Sequence, residues 1–223
     1  MMRSIYIMTQ TQNNFLMRLV TAVVGAPIVL FMIWVSPLTT VALMLLVFIL
    51  AVMEYRYVAS HKPSPKYIHI FGIIYLAVPL FLGIWLRTTE DGVFWFLAVL
   101  ATNWMTDIGA YLVGRKFGRT PLAPKISPKK TWEGFIGGLI SGFATIMALV
   151  AIFHSPISAV TWLLGFLVPL ATSAGDLIES KFKRYYGVKD SGFLLPGHGG
   201  ILDRIDGTLL AIPVAVLIIG LVM

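Results

Sequence analysis

Apolar and polar positions fall into long blocks along this chain instead of alternating at strand spacing or striping one face of a surface helix. Seven apolar blocks can be read: Leu19–Val35, Thr39–Met53, His69–Leu86, Val93–Gly114, Phe135–Phe153, Ala159–Gly175 and Gly207–Val222. Such runs predict helices facing lipid, since a bilayer core asks for about 20 apolar residues per span. Only helices and closed barrels satisfy their backbone in lipid, and continuous runs exclude the barrel, whose strands alternate. The expected fold is all-α, a polytopic membrane helical bundle of about seven transmembrane helices. Thr39–Met53 is at the short end of what can cross, and a re-entrant pair is its other reading. Composition agrees, with 58% hydrophobic residues and a mean hydropathy of +0.87. With no cysteine, disulfides, thiolate zinc sites and thiol nucleophiles are ruled out.

Charge orients the bundle. With the N-terminus inside, the inner segments hold Arg3 and Arg18; Arg56, Lys62 and Lys66; Arg115, Lys116, Arg119, Lys125, Lys129 and Lys130; and Lys181, Lys183, Arg184, Lys189 and Arg204. Of the 17 lysines and arginines only Arg87 is left outside, a strong positive-inside asymmetry that also puts the C-terminus outside. The net charge of +7 then describes a basic cytoplasmic face suited to anionic lipid headgroups and nucleotides. No nucleic-acid module accompanies it, so nucleic acid is not an expected partner. Arg18 precedes an apolar run without a small-x-small cleavage site, and the leader is expected to be retained. Residues 1–92 supply that leader and the first three helices; residues 93–223 form a catalytic region with two charged cytoplasmic loops.

The first loop contains Ser127-Pro128-Lys129-Lys130-Thr131-Trp132-Glu133-Gly134. Ser127-Pro128 reads as an N-cap and first-turn pair, which would set Lys129 and Lys130 in a helical first turn where free N–H groups favour anions. Anchoring to lipid phosphates explains the lysines equally well. In the second loop, Asp176, Ser180, Lys183 and Arg184 share one face of a helix that Gly187 would end as its C′ residue. Solvated salt bridges are the plainer reading of that face. Pro196-Gly197-His198-Gly199-Gly200 cannot be regular helix, and its glycines allow backbone to approach a ligand closely. Asp203 and Asp206, one turn apart around Arg204, can aim at one spot. Acidic oxygen ligands of this kind suit Mg²⁺ better than zinc. His198 serves a turn hydrogen bond as readily as a substrate, and Lys189-Asp190 reads equally as a loop ion pair. Asn103 and Asp107 form a polar stripe with Tyr111 inside an apolar run, open to a cavity or a helix–helix hydrogen bond. Gly134, Gly138 and Gly142 make a ridge for helix packing.

Three of these stretches, in order, resemble the signature elements of the phosphatidate cytidylyltransferases (CDP-diacylglycerol synthases). Thr106-Asp107-Ile108-Gly109-Ala110-Tyr111 running into Gly114-Arg115 is similar to T-D-x-x-A-Y-x-x-G-R, and Ser127–Gly134 to S-P-K-K-T-x-E-G. Ser180 to Asp206 follows S-x-x-K-R, K-D, then H-G-G-x-x-D-R-x-D. The resemblance implies the reaction CTP + phosphatidate → CDP-diacylglycerol + pyrophosphate, in phospholipid biosynthesis. It implies Mg²⁺ on Asp176, Asp203 and Asp206. Lys129, Lys130, Lys183, Arg184, Arg204 and His198 become the catalytic set. Asn103, Asp107, Ser127, Ser180, Lys189, Gly199 and Gly200 become the substrate-binding set. CTP, phosphatidate and the bilayer are the expected partners, with a homodimer left open, and a bacterial inner membrane with the site facing the cytoplasm is the expected location. A CTP-dependent polyprenol or phytol kinase and an ion or anion transporter are the alternatives.

Overall fold

The computed structural model describes residues 23–153, 155–192, 194 and 199–221. The apolar blocks become helices: α1 Val23–Val35, α2 Pro37–Ala59, α3 Lys66–Thr88, α4 Gly92–Phe117, α5 Trp132–Ile152, α6 Ala159–Tyr185, the single turn α7 Leu202–Ile205, and α8 Thr208–Gly220. Between α4 and α5 a short antiparallel hairpin pairs β1 Pro121–Ala123 with β2 Ser127–Thr131. This short hairpin aside, the described elements are helices, consistent with the expected all-α bundle. Helices α2 to α6 are long and apolar enough to cross a membrane, whereas α1 and α8 are shorter apolar helices.

The block beginning at Thr39 proves longer than its apolar core. Ser36 caps it in extended conformation, Pro37 opens it, and α2 runs 23 residues to Ala59, past Glu54 and Arg56. By length and composition that is enough to cross a bilayer. Helix α6 is longer still, at 27 residues, or about 40 Å at the usual helical rise against about 30 Å of hydrocarbon. Its last turns therefore stand clear of its apolar portion and carry charge. Gly187, at φ +76°, ends it as expected; the Val188 N–H donates to the Lys183 carbonyl and the Gly187 N–H to that of Arg184, a Schellman pairing.

The glycine ridge does what its spacing predicts. A Cβ on Gly134 would stand 2.8 Å from the Ala110 carbonyl, and one on Gly138 2.9 Å from that of Thr106, so α5 meets α4 backbone to backbone. The main core joins Ile33, Leu80, Leu86, Phe96, Leu164 and Ile212, all nearly inaccessible. A second cluster of Tyr55, Val58, Leu76, Tyr186, Leu202 and Leu209 lies beneath the charged loops. There the Tyr55 ring stacks on Phe182 with centroids 5.1 Å apart. The outward helix faces carry Phe31, Trp34, Phe71, Phe81, Ile140 and Phe166, the side chains a lipid-facing belt requires.

The loops expected on one side meet at one end of the bundle. Lys62 lies over the Tyr185 ring, the Tyr186 hydroxyl bonds Ser64 at 2.9 Å, and Arg184 Nε donates to the Ile126 carbonyl at 3.3 Å. Arg87 is at the far end of α3, where its Nε donates to the Ile33 carbonyl at 2.7 Å.

Candidate functional site

The first loop is built differently from its sequence reading. Ser127 and Pro128 do not start the helix; Ser127 to Thr131 form β2, and Thr131 is the N-cap of α5, its hydroxyl accepting from the Gly134 N–H at 3.1 Å. The correction has a physical cause. Pairing with β1 (Pro121 opposite Thr131, Ala123 opposite Ser127) satisfies this backbone in extended form. Glu133 then reaches back to accept from the N–H groups of Arg119 and Thr120 at 3.1 and 3.2 Å, fixing the hairpin to the helix start. Lys129 and Lys130 therefore sit on a strand, outside any helical first turn. Lys129 is exposed, and Lys130 pairs with Asp176 of α6, bringing the first loop to the second.

On α6, Asp176 also accepts from the Ser180 hydroxyl at 3.3 Å. Lys183 does not face solvent. It is 8% exposed and its ammonium sits 2.5 Å from both Glu179 and Asp203. Glu179 was missed in the sequence, although its i,i+4 spacing to Lys183 was a usable signal. Among the described residues its buried Oε1 has no hydrogen-bond partner. Arg184 is exposed and braces loops, donating to the Val188 carbonyl at 2.8 Å as well as to Ile126.

In the second loop, Asp203 Oδ1 takes Lys183, and Oδ2 accepts from the N–H groups of Ser191 and Gly200 at 3.0 and 2.9 Å. Burial alone pushes the Asp203 carboxyl up; the bonds from Lys183, Gly200 and Ser191 outweigh it and hold the group below the usual carboxylate range. Gly199 adopts φ +82°, the left-handed conformation its turn requires. Gly200 is buried, while Lys189, Asp190 and Arg204 are exposed. His198, with Pro196 and Gly197, lies outside the described residues.

Asp206 has the opposite environment. Gly175 abuts the Asp206 backbone closely, which sets Asp206 beside Asp176. Burial, and then the charges of Asp176, Glu179 and Asp107, push the Asp206 carboxyl well above its usual range. Its Oδ1 accepts from the Gly207 N–H at 2.7 Å. Asp107 is within electrostatic reach of Asp176, Lys130 and Arg204. The polar stripe on α4 thus divides. Asp107 faces this acidic group, whereas Asn103, 1% exposed, accepts from the Thr172 hydroxyl at 2.9 Å and fastens α4 to α6.

The sequence missed one further carboxylate. Glu54, near the end of α2, is 4% exposed and accepts from the Ser191 hydroxyl at 3.0 Å and from the N–H groups of Ile201 and Leu202 at 2.9 Å each. A lone acid at the end of an apolar run gives no local sign of partners so far along the chain.

Crowded carboxylate oxygens are a hard donor set suited to a divalent cation. Among the described residues no three acids or imidazoles form a metal cage by themselves. Mg²⁺ is usually held by one or two carboxylates together with substrate phosphates. Asp203 has both oxygens engaged by protein donors, Asp176 takes Lys130 on one oxygen and the Ser180 hydroxyl on the other, and Asp206 takes the Gly207 N–H on Oδ1.

This chain is similar in sequence to known proteins. A family model described as the cytidylyltransferase family matches residues 59–222. The phosphatidate cytidylyltransferase of Mycobacterium bovis is 42% identical over 153 residues, covering 66% of this chain and 50% of that protein. Those of Staphylococcus haemolyticus and Staphylococcus aureus are 48% and 44% identical over 130 residues, covering 56% and 57% of this chain and 49% of each relative. The chain thus spans about half the length of the curated relatives it matches.

Proposed function

Because this chain belongs to the cytidylyltransferase family, we propose that it transfers a cytidylyl group from CTP to phosphatidate, giving CDP-diacylglycerol and pyrophosphate. One observation carries the reading. Cations and carboxylates from three separate stretches meet at one end of a bundle of apolar helices, joined by the Lys130–Asp176 and Lys183–Asp203 contacts. The proposal includes seven spans, an inside N-terminus and a site facing the cytoplasm of a bacterial cell, as the one-sided distribution of lysine and arginine supports.

A phosphatidate oxygen attacks the α-phosphorus of CTP; a new P–O bond forms, the bond to the β-phosphate bridging oxygen breaks, and pyrophosphate leaves with that electron pair. The nucleophile is already anionic, so no strong general base is required. The protein's task is to hold two anions together and to neutralise charge as it moves to the leaving group. Lys130, released from Asp176, and the exposed Lys129 and Arg204 supply that charge. Asp176 and Asp206 hold Mg²⁺, which on binding supplies charge neutralisation and a template for the phosphates. Lys183 and Asp203, locked to each other and to the loop backbone, keep the second loop in place, and Asn103 is a packing residue beneath it. Ser127, Ser180, Lys189, His198 and Gly199 remain substrate-side candidates.

The test is to incubate the purified protein with labelled CTP, phosphatidate and Mg²⁺. A liponucleotide with equimolar pyrophosphate is expected. Label passing from the γ-phosphate to a polyprenol instead would indicate a kinase, and no CTP consumption at all would overturn both readings.

A further inference from the structure

We infer that Glu54, which lies ahead of the family-matching segment 59–222, is a positioning residue for the site, acting through the loop that carries Asp203; the inference rests on the reaction proposed above. A buried carboxylate near the end of a span is costly unless its oxygens are satisfied. Those of Glu54 are satisfied by one stretch of chain, through the Ser191 hydroxyl and the Ile201 and Leu202 N–H groups. The neighbouring glycines are shaped to it. A Cβ on Gly192 would stand 2.7 Å from Glu54 Oε1, and one on Gly200 would overlap both the Glu54 carboxylate and the Ser191 hydroxyl. Gly200, read from the sequence as a substrate contact, is thus small for a reason inside the protein.

Two carboxylates grip neighbouring donors in the same two places of this loop. Asp203 takes the N–H groups of Ser191 and Gly200, while Glu54 takes the Ser191 side chain and the next two N–H groups after Gly200. Asp203 also holds Lys183, and Asp206 follows three residues on. Without Glu54, three donors lose their acceptor in a site closed to water, and Asp203 alone must fix the start of α7. Because its oxygens are spent on these donors, Glu54 acts on substrate only through the loop.

The test uses Glu54→Gln in the full chain, purified in detergent. Glutamine keeps one acceptor oxygen but turns an amide toward a donor that needs an acceptor. The amide hydrogens of Gly200, Ile201 and Leu202 should exchange about tenfold faster or more. Displaced reacting groups should lower kcat by about 10²-fold while KM for CTP moves by less than about threefold. Glu54→Asp should restore part of both. Unchanged exchange at these amides, or a raised KM with kcat retained, overturns the inference. Should Glu54→Gln fail to fold, Ser191→Ala removes a single donor and should lower kcat by about tenfold; a wild-type kcat in that variant is equally fatal. If the wild-type protein makes no liponucleotide, the proposed reaction fails, and the exchange measurement alone still decides whether Glu54 holds the loop.

Discussion

Two groups of acids lie at the same end of this bundle and are used in opposite ways. Around Glu54 and Asp203, each carboxylate oxygen has a donor: Lys183, the Ser191 hydroxyl, or a backbone N–H. Around Asp176 and Asp206, acids crowd one another, and the charges of Asp176, Glu179 and Asp107 add to burial in pushing Asp206 up. The first group is complete without a ligand and stabilises the fold. The second group crowds acids against one another, and on the proposed reaction a cation with phosphates relieves that repulsion. Acid residues that look alike in sequence, Asp203 and Asp206 above all, thus have opposite surroundings, which on the proposed reaction make one a scaffold and the other a binding surface.

The largest effect that can break this comparison is at Asp176. Asp176→Asn should lower turnover by about 10³-fold, the loss expected when one preorganised charge contact disappears, while the melting temperature stays near wild type. Both Asp176 and Lys130 are partly exposed, so their pair adds little stability. Near-normal turnover at saturating Mg²⁺ would remove Asp176 from the binding group. Lys130→Gln comes next, with kcat/KM for CTP down by about 10²-fold and Lys66→Gln close to wild type. Equal small losses at both positions would reduce Lys130 to a membrane anchor.

Asp203→Asn should behave differently, costing about 2 kcal/mol of stability through the lost charged acceptor for Lys183 and two N–H groups. Thermal unfolding in detergent measures it, and a variant as stable as wild type would deny Asp203 its scaffold role. The smallest effect is in its pH dependence. Because folding holds the Asp203 carboxyl below its usual range, its stabilisation is full above the ordinary carboxylate value and is lost as pH falls through the folded value. The melting-temperature gap between wild type and Asp203→Asn should therefore narrow on acidification from neutral pH. A constant gap down to the acid limit would place the stabilisation elsewhere.

Much of this was legible before any coordinates. Apolar blocks announce helices because lipid offers the backbone no other partner, and the Gly134, Gly138 and Gly142 spacing and the Gly187 stop are local rules that held. The hairpin was not legible. Ser127-Pro128 satisfies the rules for a helix start, and only pairing with Pro121–Ala123 and the cap at Thr131 decide against it. Glu54 was missed, and the partner of Asn103 was left open, because Ser191 and Thr172 are far along the chain. The buried pairing of Lys183 was not legible because the helical face was counted without Glu179, which sits one turn before it.

The length of α6 has a kinetic consequence. At the usual helical rise, Asp176 stands about 26 Å along the helix from Ala159, close to the thickness of a bilayer's hydrocarbon layer. On the proposed topology the acidic group then lies near the edge of the hydrocarbon layer, within reach of the lipid headgroups of the adjoining leaflet. On the proposed reaction, one substrate is collected by lateral diffusion in two dimensions and the other from three-dimensional solution. Rate would then follow the mole fraction of phosphatidate in the membrane and the bulk concentration of CTP. Diluting the lipid substrate with inert lipid at constant total phosphatidate should slow the enzyme as surely as removing nucleotide.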